Sequence, residues 1–181
     1  MTDNRQELST TMFGREVTFS YSETWIGYSL LSLRVVMAWI FFQAGIQKFL
    51  DPSWSASGFL QGTTLDPLGM FTMMSGEPIV DALVIYGQLA IGLGLFTGTL
   101  VRLASFGGGL MMVLFWLGSL EGGLMAGLPI EHGYVVSSHI VYLLLLFGIG
   151  SFGAGRILGI DAWIEDQAWF EDHPWLRYLT G

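Results

Sequence analysis

The sequence predicts an all-α membrane protein: a bundle of four transmembrane helices, N-terminus and C-terminus both inside, with an apolar outer loop between spans one and two. Three observations predict it. The 181 residues are 52% hydrophobic and 12% charged, against about 25% charged in a typical soluble domain. The apolar residues gather in four runs, each near the roughly 20 residues needed to cross a bilayer. The Lys and Arg residues that lie between the runs all fall on one side of the membrane.

Residues 1–24 read as a polar cytoplasmic tail. Asp3, Arg5, Glu7, Arg15 and Glu16 leave no room for an apolar h-region, so no cleavable signal peptide is expected and the first span inserts as its own signal. That span runs from Trp25 to Leu50 and contains Arg34, Gln43, Gln47 and Lys48. The second runs from Ile79 to Leu100, with Asp81, Tyr86 and Gln88. The third runs from Leu103 to Leu120 and ends at Glu121; only Val101 and Arg102 separate it from the second, so a tight antiparallel hairpin is expected. The fourth runs from Tyr134 to Phe152 and holds Ser137, Ser138 and His139. The chain thus divides into a tail at 1–24, a transmembrane domain at 25–152, and a cytoplasmic aromatic and acidic tail at 153–181.

Orientation follows from the basic residues. Arg5 and Arg15 precede span one, Arg102 sits between spans two and three, and Arg156 and Arg177 follow span four. The 51–78 and 121–134 loops carry no Lys or Arg and are expected outside, giving a multi-pass protein of the cell membrane. The 51–78 loop, with Phe59, Leu60, Leu65, Leu68, Met70, Phe71, Met73 and Met74, is too apolar for a solvated linker. It belongs in the outer interface or over the bundle mouth as a lid. The tail aromatics Trp163, Trp169, Phe170, Trp175 and Tyr178 suit a membrane–water boundary or a docking surface equally. Ala90, Gly94 and Gly98, and Gly107 to Gly109, form small-residue surfaces expected to pack helix on helix.

Composition also excludes functions. The chain has no cysteine, which removes disulfides, thiolate chemistry, iron–sulfur clusters and Cys-bound zinc. A net charge of −8 argues against nucleic acid as a partner. The acid lies in the exposed segments, and a single lysine among them and the spans suggests a halophilic, high-salt cytoplasm.

Polar side chains inside a span are costly and mark candidate sites. Arg34 is read roughly 13 Å above the inner end of span one, level with Gln88, its expected hydrogen-bond partner. Lys48, Asp81, Glu121 and His139, with Trp54 at the loop start, gather at the outer mouth. The candidate ligand-binding set is therefore Arg34, Lys48, Trp54, Asp81, Gln88, Glu121 and His139. For most of these the alternative is structural: a snorkelling lysine, solvated helix ends, a hydrogen-bonded core histidine. No catalytic residue stands out, and no metal is expected, since Glu131, His132 and His139 have no diagnostic ligand spacing. His132 and His139 lie roughly 10 Å apart on one segment and do not bracket a haem iron.

The stretch Gly45-Ile46-Gln47-Lys48-Phe49-Leu50-Asp51, with Arg34 before it, resembles the first helix of the DoxX/DoxD family of small four-helix membrane proteins. Gly92 to Arg102 resembles the end of that family's second helix and its turn, and the likeness covers residues 25–155. The resemblance implies a small subunit of a membrane redox assembly, like those of thiosulfate:quinone oxidoreductase or the proteins accompanying terminal quinol oxidases. Arg34 and Lys48 match the family's basic positions; many members carry an acid near Gln88, which is a neutral amide here. The expectation is a subunit that contributes to quinone or donor binding at the outer mouth, with no covalently bound cofactor. It is compatible with an accessory, non-catalytic role in a quinone-linked oxidoreductase of the respiratory chain. The competing expectations are a purely structural or assembly subunit and, less well supported, a small transporter, against which the lack of an inverted repeat speaks. Expected partners are other subunits of the complex, lipid and further copies of the chain.

The topology makes a direct prediction. Single cysteines at Ser57 and Gly127 are labelled by an impermeant thiol reagent in intact cells, and cysteines at Ser9 or Thr180 are not; labelled tails in sealed cells would reverse the orientation.

Overall fold

The computed structural model describes residues 5–63, 66–120 and 136–181. The first element is not the featureless tail expected. Strands β1 (Arg5–Met12) and β2 (Arg15–Ser22) form an antiparallel hairpin in which Leu8 faces Phe19 and Thr10 faces Val17. Its two-residue turn, Phe13-Gly14, has positive φ at both positions (52° and 75°), the geometry that matches the twist of the flanking strands. The alternation Val17, Phe19, Tyr21 against Thr18 and Ser20 is a strand signal. The all-α expectation is therefore corrected to a mainly helical chain with one hairpin.

Helix α1 (Glu23–Phe49) follows β2 without a loop. Its 27 residues measure about 40 Å, more than the roughly 30 Å of bilayer hydrocarbon. α4 (Pro78–Thr97) starts with Pro at its first position, where the missing N–H costs nothing, and ends at Gly98 in the left-handed region (φ 70°). The Thr99 N–H closes that end on the Gly94 carbonyl at 2.8 Å. The turn to α5 (Val101–Gly118) is Gly98-Thr99-Leu100, so Val101 and Arg102 begin α5 rather than joining two helices. α6 (Ser138–Ser151) is the described part of the fourth apolar run. α1, α4 and α5 are each long and apolar enough to cross a membrane, and α6 is a shorter apolar helix.

The four helices pack in the order α1, α4, α5, α6, with α6 closing back on α1. Their interior holds Met37, Ala38, Phe41, Leu95, Leu146 and Ile149, while Phe106, Leu144 and Phe147 face outward and are 63–73% exposed. Large apolar side chains on the outside of a bundle whose core is already filled belong to a protein surrounded by lipid. The close approach of α1 and α4 rests on Gly45 and Gly92. A Cβ at Gly92 would sit 2.6 Å from the Phe42 nitrogen, and one at Gly45 would sit 2.9 Å from the Leu89 nitrogen. The expected Ala90-Gly94-Gly98 surface is corrected accordingly: Ala90 is exposed, Gly94 meets Ala104 of α5, and Gly98 meets Gly159 of the tail. On α5 the expectation holds, since Gly108 lies against Phe41 and Leu146.

The described residues of the 50–77 segment, termed the lid, pack on the end of the bundle opposite the tail. The segment contains α2 (Ser57–Gln61), a 3₁₀ turn (Pro67–Gly69) and α3 (Met70–Met74). Ala56, Leu60 and Phe71 bury themselves with Val80 of α4, and Leu117 of α5 packs against them. Two carboxylates fix its turns. Asp66 accepts the Phe71 and Thr72 N–H groups at 2.7 and 2.9 Å and the Thr72 hydroxyl at 2.6 Å. Asp51 accepts the Ser53 hydroxyl and N–H. The hydroxyl bonds hold both carboxylates below their ordinary pKa. At the opposite end, a 3₁₀ turn (Ala154–Arg156), α7 (Ile160–Glu165), α8 (Ala168–Glu171) and a second 3₁₀ turn (Pro174–Tyr178) fold the tail under the bundle. Thr180 is buried there, so an exposed position such as Trp175 reports the tail's side of the membrane better.

Candidate functional site

The charged side chains described in the bundle occupy two ends. At the tail end, Arg34 is 2% exposed and aims its guanidinium across the bundle floor. Nη1 donates to the carbonyls of Ala154 and Ile157, the latter at 2.9 Å, and Nη2 donates to Leu158 at 3.4 Å. The Ala154 carbonyl also accepts the Ile157 N–H at 3.2 Å, and Ile157 and Leu158 lie just past the 3₁₀ turn, where the helical ladder has ended. Asp161 lies near enough for Coulombic attraction to Arg34. It is itself fully buried, and its carboxylate accepts the N–H groups of Leu100 at 2.7 Å, Val101 at 3.0 Å and Gly181 at 3.0 Å. It thus supplies the acceptor that the first turn of α5 lacks, at the positive end of that helix. The Asp161 N–H donates to the Gly98 carbonyl at 2.8 Å, so one residue ties the tail to both sides of the α4–α5 turn. Beside it, Arg156 forks onto Glu165 at 2.8 and 3.1 Å, which holds that carboxyl below its ordinary pKa.

The expected Arg34–Gln88 pair does not form. Gly98 lies beside Arg34, Gly92 beside Phe42 and Leu89 beside Gly45. Gln88 is therefore level with Ile46, about 18 Å along α1 from Arg34. The depth estimate failed because it set the inner ends of the two spans level, whereas α4 ends at Gly98 beside Arg34, about three turns inside the start of α1.

At the lid end, Lys48 donates to the Ala44 carbonyl at 3.0 Å and holds its ammonium 5.4 Å from the centre of the Trp54 ring. Asp81 accepts the Ala56 N–H at 2.8 Å, fixing the start of α2. Phe59 of the lid meets Phe115 edge-on at 6.0 Å, and Phe115 meets the His139 ring at 6.2 Å. His139 has Ser137 Oγ 3.4 Å from Nδ1. Lys48, Trp54 and Asp81 thus meet through one lid segment, and His139 meets the lid through an aromatic chain. Glu121 lies outside the described residues, as do Glu131 and His132. No group of potential metal ligands occurs among the described residues.

Three buried polar atoms among the described residues lack a partner: Arg34 Nε, Ser105 Oγ and the carboxamide oxygen of Gln88. Gln88 is 4% exposed, and its carboxamide oxygen has no hydrogen-bond donor. A buried carbonyl left without a partner is destabilising. The feature the sequence reading missed is Asp161, which it counted among the solvated tail acids. The signal was available: Asp161 is the lone acid in the apolar run Ile157 to Ile164.

Fold and site together describe a small helical membrane protein with a knotted polar end and a lidded end. The DoxX family model matches residues 29–119, which takes in α1, the lid, α4 and α5, and the chain belongs to the DoxX family. No curated protein and no solved structure gives a match.

The geometry orders the effects of substitution. Asp161→Ala strands three N–H groups and the Arg34 charge together. It should lower the midpoint of thermal unfolding in detergent more than any other single change here, in line with a loss of about 3–5 kcal/mol for a broken buried charge network. Gln88→Leu removes an unpaired oxygen and should leave the midpoint unchanged or raise it. A Gln88→Leu protein as unstable as Asp161→Ala would restore the Arg34–Gln88 pairing.

Proposed function

We propose that the chain is a small integral-membrane subunit of a quinone-linked redox assembly and that Gln88, beneath the lid, contributes to holding the quinone. The observation that carries this reading is the unpartnered carboxamide oxygen of Gln88, which shares that lack among the described residues with Ser105 Oγ and Arg34 Nε but alone is a carbonyl-type acceptor. A quinol hydroxyl is a donor of the kind this oxygen lacks, and the Gln amide nitrogen is a donor suited to a quinone carbonyl. A bound quinone supplies two-electron, two-proton exchange with the membrane pool. The residues of this chain would orient it and keep water out: Gln88 by hydrogen bonding, the lid by covering the mouth. Lys48, Trp54, Asp81 and His139, with Glu121, would form the surface that meets a donor or its protein. Membership of the DoxX family is compatible with a redox link. The reading places all four helices across the cell membrane with both tails in the cytoplasm.

A second reading has its own support. Arg34, Lys48 and Asp81 all spend their polar groups inside the chain, as a structural or assembly subunit would require. Extraction in mild detergent from native membranes separates the two. The redox reading expects quinone to co-purify in amounts comparable to the chain. It expects a Gln88→Leu protein of normal stability to lose that quinone and to slow quinone-linked electron transfer. Oxidase subunits that co-purify without quinone, with unchanged turnover in Gln88→Leu, would establish the assembly role instead.

A further inference from the structure

α1 has two faces of opposite character. Leu30, Arg34, Met37, Phe41 and Gly45 point into the bundle. On the other side Ser29, Ser32, Val36, Gln43 and Gln47 form an exposed lane along most of the helix. The two serines satisfy themselves, donating to the Ile26 and Tyr28 carbonyls at 2.9 and 2.8 Å. The two glutamines make no hydrogen bond to any described residue. Gly45 sits beside Leu89 and Phe42 beside Gly92, so Gln43 and Gln47 are level with the middle of α4. A primary amide turned toward hydrocarbon at that depth has no water to bond, and two of them one turn apart on the same lane share the same need.

We propose that this lane is the contact surface of a homodimer in which α1 of one copy lies along α1 of a second. The argument for a second copy is complementarity. The lane carries no charge that would select an oppositely charged partner. Each glutamine side chain has both a donor and an acceptor and so matches its own kind. Two copies inserted with the same orientation are related by an axis along the membrane normal, which brings Gln43 to Gln43 and Gln47 to Gln47. Ser29 and Ser32 are small enough to let the backbones approach near the tail end. Met37 and Phe41 already fill the inner face, so the outer lane is the one left for association. This inference is independent of the quinone reading.

The chain has no cysteine, which makes the test clean. Val36→Cys and Gln43→Cys on the lane are compared with Leu93→Cys and Phe106→Cys, which are exposed on α4 and α5. All are oxidised with copper phenanthroline in membranes of the full-length chain. The dimer predicts chain-to-chain disulfides from the two lane positions only. In mild detergent, the Gln43→Leu/Gln47→Leu protein should dissociate more readily by about threefold for each hydrogen bond lost. Cross-linking from all four positions alike, or from none, would overturn the proposal. So would a dimer unchanged in the double variant, or capture of a different protein by Val36→Cys without any homodimer.

Discussion

The carboxylate of Asp161 sits at full burial where three parts of the chain converge, and the rest of the tail end is arranged around it. A buried charge is tolerated only when its lone pairs are filled and an opposite charge is near. Leu100 and Val101 fill two of them from the start of α5, and Gly181 fills a third. Arg34 supplies the opposite charge and is held in turn by carbonyls in and just after the 3₁₀ turn that follows α6. Each group solves the other's problem. The glycines at 98, 155 and 159 are part of the same arrangement, since a side chain at any of them would collide with the backbone or with Asp161.

The helices differ in length. α1 places Arg34 at the floor beside the end of α4 and runs about three turns beyond it, and it stops short at the other end, where the lid takes over. The lid is built differently, from an apolar cluster with exposed carboxylate-fixed turns. Stability is therefore concentrated at the tail end, while the lid end rests on fewer buried contacts. The Gln88 carboxamide oxygen, unpaired among the described residues, lies on α4 between these two ends.

Much of this was legible in the sequence. The helices follow the apolar runs closely, because bilayer thickness fixes how long such a run must be; the second span, expected from Ile79, starts at Pro78. The lid was legible in the apolar residues of 51–78, which have nowhere else to go. What was not legible depended on which way a face points. Ala90, Gly94 and Gly98 have the spacing of a packing surface, yet the helix turns Gly92 to its neighbour instead. Arg34 and Gln88 were paired by setting the inner ends of the two spans level, whereas α4 ends at Gly98 beside Arg34. Asp161 was lost among fourteen other acids because burial in a tail is decided by what the tail folds against. Of the site residues, Lys48 and Trp54 lie together, the ammonium 5.4 Å from the ring centre. The hairpin was overlooked because its alternation is short and its polar residues suited a tail.

The claim that a buried carboxylate organises the bundle is tested most directly by amide hydrogen exchange of the full chain in nanodiscs. The Leu100, Val101 and Gly181 amides should be among the slowest to exchange outside the helix interiors. All three should become fast together in Asp161→Asn, while the amides of the lid are unaffected. Fast exchange of these amides in the unaltered protein, or their independence of one another in the variant, would contradict the account.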